Sequence, residues 1–219
     1  MIPRMLYLLP RSVGKWVLNN IPFIECARYG NLVYCRTLKC GSEFFYNNFV
    51  QTAHWNPTLY SDIDWDQDVV FSYVMDPIKR RHKGIGEYIV ANNLREQLFH
   101  DLAFRKILTY APYLDEHSAS LHCLYRRDID KIHWMYLDDD HSVGTIQTEK
   151  FLKSYGHPPI TWDLEYVHTT KNYLEDIYKE IKSLWESPPG PPWYVAAYFD
   201  QDKQLFTAIK NQTQHKLIL

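Results

Sequence analysis

One stretch constrains this chain more than any other, Asn31 to Phe49, which reads NLVYCRTLKCGSEFFYNNF. Leu32 to Thr37 has the apolar and β-branched character of a buried strand. A tight turn follows at Lys39-Cys40-Gly41-Ser42, and then an apolar helix carrying Phe44, Phe45, Phe49 and Val50. A strand that enters a helix through small residues leaves the first helical N–H groups unpaired and converging on one spot. Unsatisfied donors and the helix dipole make that spot favourable for an anion. Gly41 lets backbone approach the ligand, Ser42 adds a hydroxyl, and Lys39 brings a mobile positive charge. The stretch predicts a phosphate-type cradle. It is not a Walker A loop, which needs G-x-x-x-x-G-K-[ST], because here the lysine stands two residues before the glycine.

A second stretch has related chemistry. Asp68 to Met75 reads as another buried strand, ending on Asp76-Pro77. Asp76 is a good N-cap and Pro77 suits the first helical position. The helix then opens with Lys79, Arg80, Arg81 and Lys83, cations placed where the dipole favours anions. A bound anion removes the conflict. Arg80 and Lys83, three residues apart, share one helix face.

The rest of the chain supplies α/β material. Phe23 to Tyr29 is extended and Gly30-Asn31 is a turn signal. Residues 51–68 lack periodicity and read as a loop region, in which Trp55, Tyr60 and Trp65 can stack on a sugar or simply pack. Helices are expected over 94–111, 147–154 and 171–185, a strand over Lys131 to Leu137, and a final helix around Tyr198 to Phe206. A short amphipathic piece is expected near Val13 to Leu18. With 219 residues there is enough chain for one α/β domain over residues 1–219. The net charge of −2 argues against an extended nucleic-acid surface. The four cysteines form no CxxC pair, so neither a zinc site nor a disulfide framework is expected, and reduced thiols in a cytoplasmic protein are the simplest account. Met5 to Leu9 is too short to span a membrane, and no membrane partner is expected. Asp138 to His141, and His117 with His122, lack a complete metal-ligand set, so no metal site is assigned.

Lys-x-Gly-Ser after a strand resembles the 5′-phosphosulfate loop of the sulfotransferases that use 3′-phosphoadenosine 5′-phosphosulfate (PAPS). The second stretch is similar to the V-R-D-P-x-x-R-x-x-S motif of their carbohydrate-modifying branch, which holds the 3′-phosphate. Val74, Asp76, Pro77 and Arg80 match it. Met75 stands where that motif has arginine and Lys83 where it has serine. Tyr198, Asp202, Leu205 and Phe206 resemble the Tyr-x-x-x-Asp-x-x-Leu-Phe ending of many such enzymes.

The resemblance implies a three-layer, P-loop-like sulfotransferase fold with a central, mainly parallel sheet flanked by helices. It implies transfer of a sulfuryl group from PAPS to a hydroxyl or amine acceptor, a small molecule or glycan, leaving 3′-phosphoadenosine 5′-phosphate (PAP). Arg36, Thr37, Lys39, Cys40, Gly41, Ser42 and Glu43 would line the donor loop, with Asp76, Arg80 and Lys83 near the 3′-phosphate. Lys39 would stabilise charge on the leaving oxygen. His54 is the first candidate for the base that takes the acceptor proton, with Asp62, Asp64 and His117 in reserve. Two alternatives are an inactive sulfotransferase-like binder of nucleotide or glycan, and a P-loop phosphotransferase.

Overall fold

Gly30 turns the chain at φ 57°, a left-handed conformation that glycine adopts without steric cost. So short a connection can only reverse direction, and β1 (Glu25–Tyr29) and β2 (Leu32–Cys35) pair antiparallel. The structure, a computed structural model, describes residues 24–115, 117–138, 141–164 and 171–218, so the amphipathic piece expected near 13–18 lies outside it. Strand β3 (Asn56–Leu59) adds antiparallel to the outer side of β1, inside the stretch expected as loop. Helical crossovers deliver β4 (Val69–Val74) and β5 (His133–Tyr136) parallel to β2. The strand order is β3-β1-β2-β4-β5. Only the β2-β4-β5 half is parallel, so the sheet is mixed rather than mainly parallel.

Alternation along the strands splits the core. Leu32, Tyr34, Phe71 and Tyr73 face one side, where Phe44, Phe45 and Phe49 cover them together with Leu152. Val33, Cys35, Val70 and Val74 face the other, against Leu121, Tyr125 and Trp134, with Leu205 and Phe206 packed on the same cluster. The helices that bring these residues are α1 (Ser42–Asn47, continued as a π-turn Asn48–Thr52), α2 (Pro77–Ala91), α3 (Arg95–His100), α4 (Leu102–Tyr110), α5 (Leu121–Tyr125), α6 (Ser142–Ser154), α7 (Lys171–Glu186), α8 (Trp193–Ala197) and α9 (Asp200–Ile218). None of the described helices is long and apolar enough to cross a membrane. On the outer side of β5, the Gln147 amide accepts from the Tyr136 N–H at 3.3 Å and donates to its carbonyl at 3.1 Å.

The single helix expected over 94–111 is two. Asp101 breaks it, because its carboxylate accepts from the Ala103 and Phe104 N–H groups at 2.8 and 3.1 Å and so caps a new helix. α2, α3, α4 and α7 share a third apolar cluster built on Ile85, Ile89, Leu98, Phe104 and Ile177. Two titratable groups are drawn into this region. Arg81 donates to the carbonyls of Leu108, Ala111 and Pro112 at 2.7, 2.8 and 3.1 Å and lies 4.5 Å over the Trp185 ring. The C-terminal carbonyls of α4 thus hold this cation. Burial lowers the Arg81 guanidinium to about 9.

Burial, reinforced by Arg81 and Lys182, also lowers the His82 imidazole to about 4. Between that value and the ordinary ~6.5, the unfolded chain binds a proton that the folded one refuses, so stability falls as pH falls through this window. His82→Leu is expected to flatten that loss by roughly 2 to 3 kcal/mol, measured as the change in urea midpoint between pH 7 and pH 4. An unchanged pH slope would remove His82 as its source.

Candidate functional site

β2, β4 and β5 run parallel, so their carboxyl ends lie on one edge of the sheet, the usual ligand side for parallel strands. After β2 the chain tightens through a Cys40 N–H to Thr37 carbonyl bond of 3.1 Å. Lys39 and Gly41 then take left-handed conformations, φ 65° and 63°. Gly41 caps α1 and, as glycine, offers no side-chain bond to the first-turn donors. A Cβ on Gly41 would lie 3.0 Å from the His141 ring, so only glycine leaves this approach open. His141 itself stacks face to face on Phe44, centroids 5.3 Å apart and planes 7° off parallel. It reaches the loop from the turn after β5.

α2 forms the floor. Asp76 accepts from the Ile78 and Lys79 N–H groups, both at 2.9 Å, and starts the helix as its sequence predicts. One turn in, Arg80 is 1% exposed. Its Nη1 donates, at 3.4 Å each, to the carbonyls of Leu38 in the loop and of His117. Its Nε and Nη2 have no hydrogen-bond partner among the described residues. A buried guanidinium with open donors is costly unless something negative meets it. The next turn places Gly84, where a Cβ would sit 2.4 Å from the His117 carbonyl, so α2 and the 115–118 turn touch through backbone.

That contact assembles a charged chain at the rim. Glu87 pairs with the Lys39 ammonium and stands 3.6 Å from His117 Nε2. Asp115 holds His117 Nδ1 at 3.1 Å. The Asp115 bond, with further attraction from Glu87, raises the His117 pKa above its ordinary value. The order is Asp115, His117, Glu87, Lys39, with the loop beneath.

The expected site residues divide accordingly. Lys39, Gly41, Ser42, Asp76 and Arg80 surround the turn or start the helix below it. Lys83 acts close by, since its charge and that of Arg80 reach the Cys40 thiol. Cys40 itself is fully buried, and burial pushes its thiol up to about 11. Glu43 sits half-buried in the first turn of α1.

Thr37 turns inward, bonding Ser72 and Tyr125 hydroxyls at 2.5 and 2.6 Å, and ties the loop to the core instead of facing a ligand. Arg36 pairs with Glu25 and lies over the Tyr46 ring. His54 is exposed beyond the π-turn, at the far end of the helix from Gly41. Asp62 and Asp64 lie toward Arg28 and Asp68, on the β1-β3 side. Of the reserve bases only His117 comes to the loop.

No protein-family model, curated protein or solved structure matches this chain. The remaining expected features have structural roles. Asp202 accepts from the Leu121 N–H at 2.6 Å and from His122 Nδ1 at 2.6 Å, and the Ser120 N–H donates to the Tyr198 hydroxyl at 3.3 Å. The Tyr198 to Phe206 ending thus anchors α9 on α5. Asp138 caps α6 through Ser142 Oγ and the Val143 N–H at 2.9 and 3.1 Å, while Asp139 and Asp140 lie outside the described residues. Trp55 is buried against Phe49, and Tyr60 donates to Asp128. A cavity beside β5, lined by His133, Ile146, Lys150, Phe151 and Thr213 among others, includes no loop residue.

Glu87 is absent from the sequence reading, and His141 enters it only as the end of the acidic run Asp138 to His141. Arg80, Lys83 and Glu87 recur at spacings of three and four, the mark of one helix face, and that signal was available for Glu87. His141 had none, because it reaches Gly41 only through the fold.

Proposed function

We propose that this chain is a PAPS-dependent sulfotransferase acting in the cytoplasm on a hydroxyl or amine acceptor, a glycan among the candidates. One observation carries the reading: a buried guanidinium, Arg80, holds nitrogens unpartnered among the described residues beneath a glycine-started helix. An anion seated there would meet both. The loop fits a 5′-phosphosulfate through Gly41, Ser42 and Lys39. The 3′-phosphate position fits less closely, since Met75 is 2% exposed in the apolar core, leaving Lys83 and Arg80 as the nearby cations.

In the proposed reaction the acceptor oxygen or nitrogen attacks sulfur in line as the bond to the bridging oxygen breaks. Lys39 stabilises the charge left on that oxygen. His117, oriented by Asp115, takes the acceptor proton at Nε2, a role its position favours over the more distant His54. Lys39 must leave Glu87 to serve, so Glu87 competes with the ligand for it. Glu87→Gln is expected to tighten PAP binding roughly fivefold, matching the ~1 kcal/mol of a partly exposed ion pair. Calorimetry of the variant beside the wild type measures this, and weaker binding would overturn the competition.

Calorimetric titration with PAP beside adenosine 5′-phosphate and ATP tests the function itself. PAP affinity should drop when the 3′-phosphate is missing and drop again in Lys83→Ala. Equal affinity for PAP and adenosine 5′-phosphate would reject PAPS as donor. PAP binding without sulfate transfer to any acceptor would leave the inactive-binder reading, which the buried Met75 favours.

A further inference from the structure

In the β1-β2 ladder Cys26 stands directly opposite Cys35. At the next pair outward, the Arg36 N–H donates to the Glu25 carbonyl at 3.0 Å. Antiparallel pairs alternate between hydrogen-bonded and non-hydrogen-bonded, so Cys26 and Cys35 occupy a non-hydrogen-bonded pair. Cα atoms at such a pair are about 4.5 Å apart, within the range of about 4.4 to 6.8 Å that a disulfide spans. Both side chains point to the same face of the sheet, and their Sγ atoms are 3.4 Å apart. Both residues are 0% exposed. The geometry is ready for a bond that solvent cannot easily reach once the protein has folded.

We propose that Cys26 and Cys35 form a disulfide site whose state is set during folding and then retained. The hairpin is local in sequence, with its turn at Gly30-Asn31, and local hairpins form in microseconds, ahead of most long-range packing. While it is still open, one cysteine thiolate attacks a small-molecule disulfide such as oxidised glutathione, forming a mixed disulfide and releasing one reduced glutathione. The second cysteine thiolate displaces the other glutathione, closing the Sγ–Sγ bond. Two thiols are oxidised, one glutathione disulfide is reduced to two thiols, and the cysteine protons end on the released glutathiones.

Packing of the sheet face against Val70 and Leu121 then covers both sulfurs. The thiolate is the reactive species in exchange, and burial together with the Cys26 contact holds the Cys35 thiol well above its ordinary pKa. In the reducing cytoplasm proposed above the pair folds as two thiols. In an oxidising medium it folds as a bridge, whatever the enzyme activity proves to be.

Refolding from denaturant in a glutathione redox buffer, beside refolding in dithiothreitol, tests this. Each sample is then denatured in acid, alkylated and mapped by mass spectrometry. The oxidised sample should give a Cys26–Cys35 cross-linked peptide with Cys40 and Cys123 alkylated, and the reduced sample four alkylated cysteines. Closing this short loop should raise Tm by about 5 to 10 °C. Each folded sample, challenged overnight with the opposite reagent, should keep its Cys26–Cys35 state. Cys123, which is half-buried, is replaced in a parallel Cys123→Ser variant so that its own glutathione adduct is not counted. Four free thiols after oxidative refolding, or a bridge to Cys40 or Cys123, would overturn the site. Interconversion of the folded forms within minutes would overturn the retention.

Discussion

Arg80→Met is expected to make the empty protein more stable and nearly blind to PAP. The side chain is fully covered, two of its nitrogens are unpartnered, and its remaining bonds are long, at 3.4 Å. Replacing a poorly compensated buried charge by an apolar chain of similar length typically stabilises by about 1 to 3 kcal/mol. The same change removes charge-assisted bonds to a bound anion, worth about 1.5 to 3 kcal/mol each. PAP affinity should therefore fall by roughly a hundredfold. Urea midpoints and calorimetry on the same sample give both signs. Lower stability with unchanged PAP affinity would make Arg80 a packing residue and remove the main support for an anion site.

Gly84→Ala is expected to cost more than any other single methyl in the molecule's described helices. The added carbon would meet the His117 carbonyl oxygen at 2.4 Å, its carbon at 2.5 Å and the Ser118 N–H nitrogen at 2.7 Å. All three are backbone atoms, and the turn that holds them is pinned by Asp115 and Ser118 hydrogen bonds. Neither side can yield as a flexible side chain would. Overpacking of this kind costs about 3 kcal/mol, so the urea midpoint should drop at constant slope and Tm should fall by roughly 6 to 12 °C. Gly156→Ala is the comparator. It has open space around it but sits at φ 74°, and should cost only the ~1 kcal/mol of a left-handed non-glycine residue. Equal losses at the two positions would mean that the α2 contact with the 115–118 turn is looser than its geometry indicates.

Local signals made the centre of this fold legible. The buried runs at β2, β4 and β5 and the Asp76-Pro77 helix start are short-range features, and the structure has them where the residues indicate. β3 escaped because Asn56 and Pro57 are poor strand residues and its partner β1 supplies the pairing. In the candidate site, the glycine turn and the Arg80 face were readable for the same local reason. What was not readable depended on which way side chains turn after packing. Thr37 belongs to the loop in sequence but bonds Ser72 and Tyr125, residues 35 and 88 positions away. His117 and Glu87 meet only because Gly84 lets α2 come up against the backbone of His117 and Ser118. Arg81 and Arg80 are adjacent and look alike, yet one helix step sends Arg81 to the end of α4 and Arg80 to the loop.

The Gln147 amide bonded to Tyr136 has a consequence for how copies of this protein behave together in a crowded solution. An outermost strand with open donors and acceptors is a template on which a second molecule can lay its own backbone. Gln147 fills one rung of that ladder with a group that cannot be extended further. The sheet is thereby ended from within by a side chain, and that rung of β5 is closed to a neighbouring backbone by a single amide.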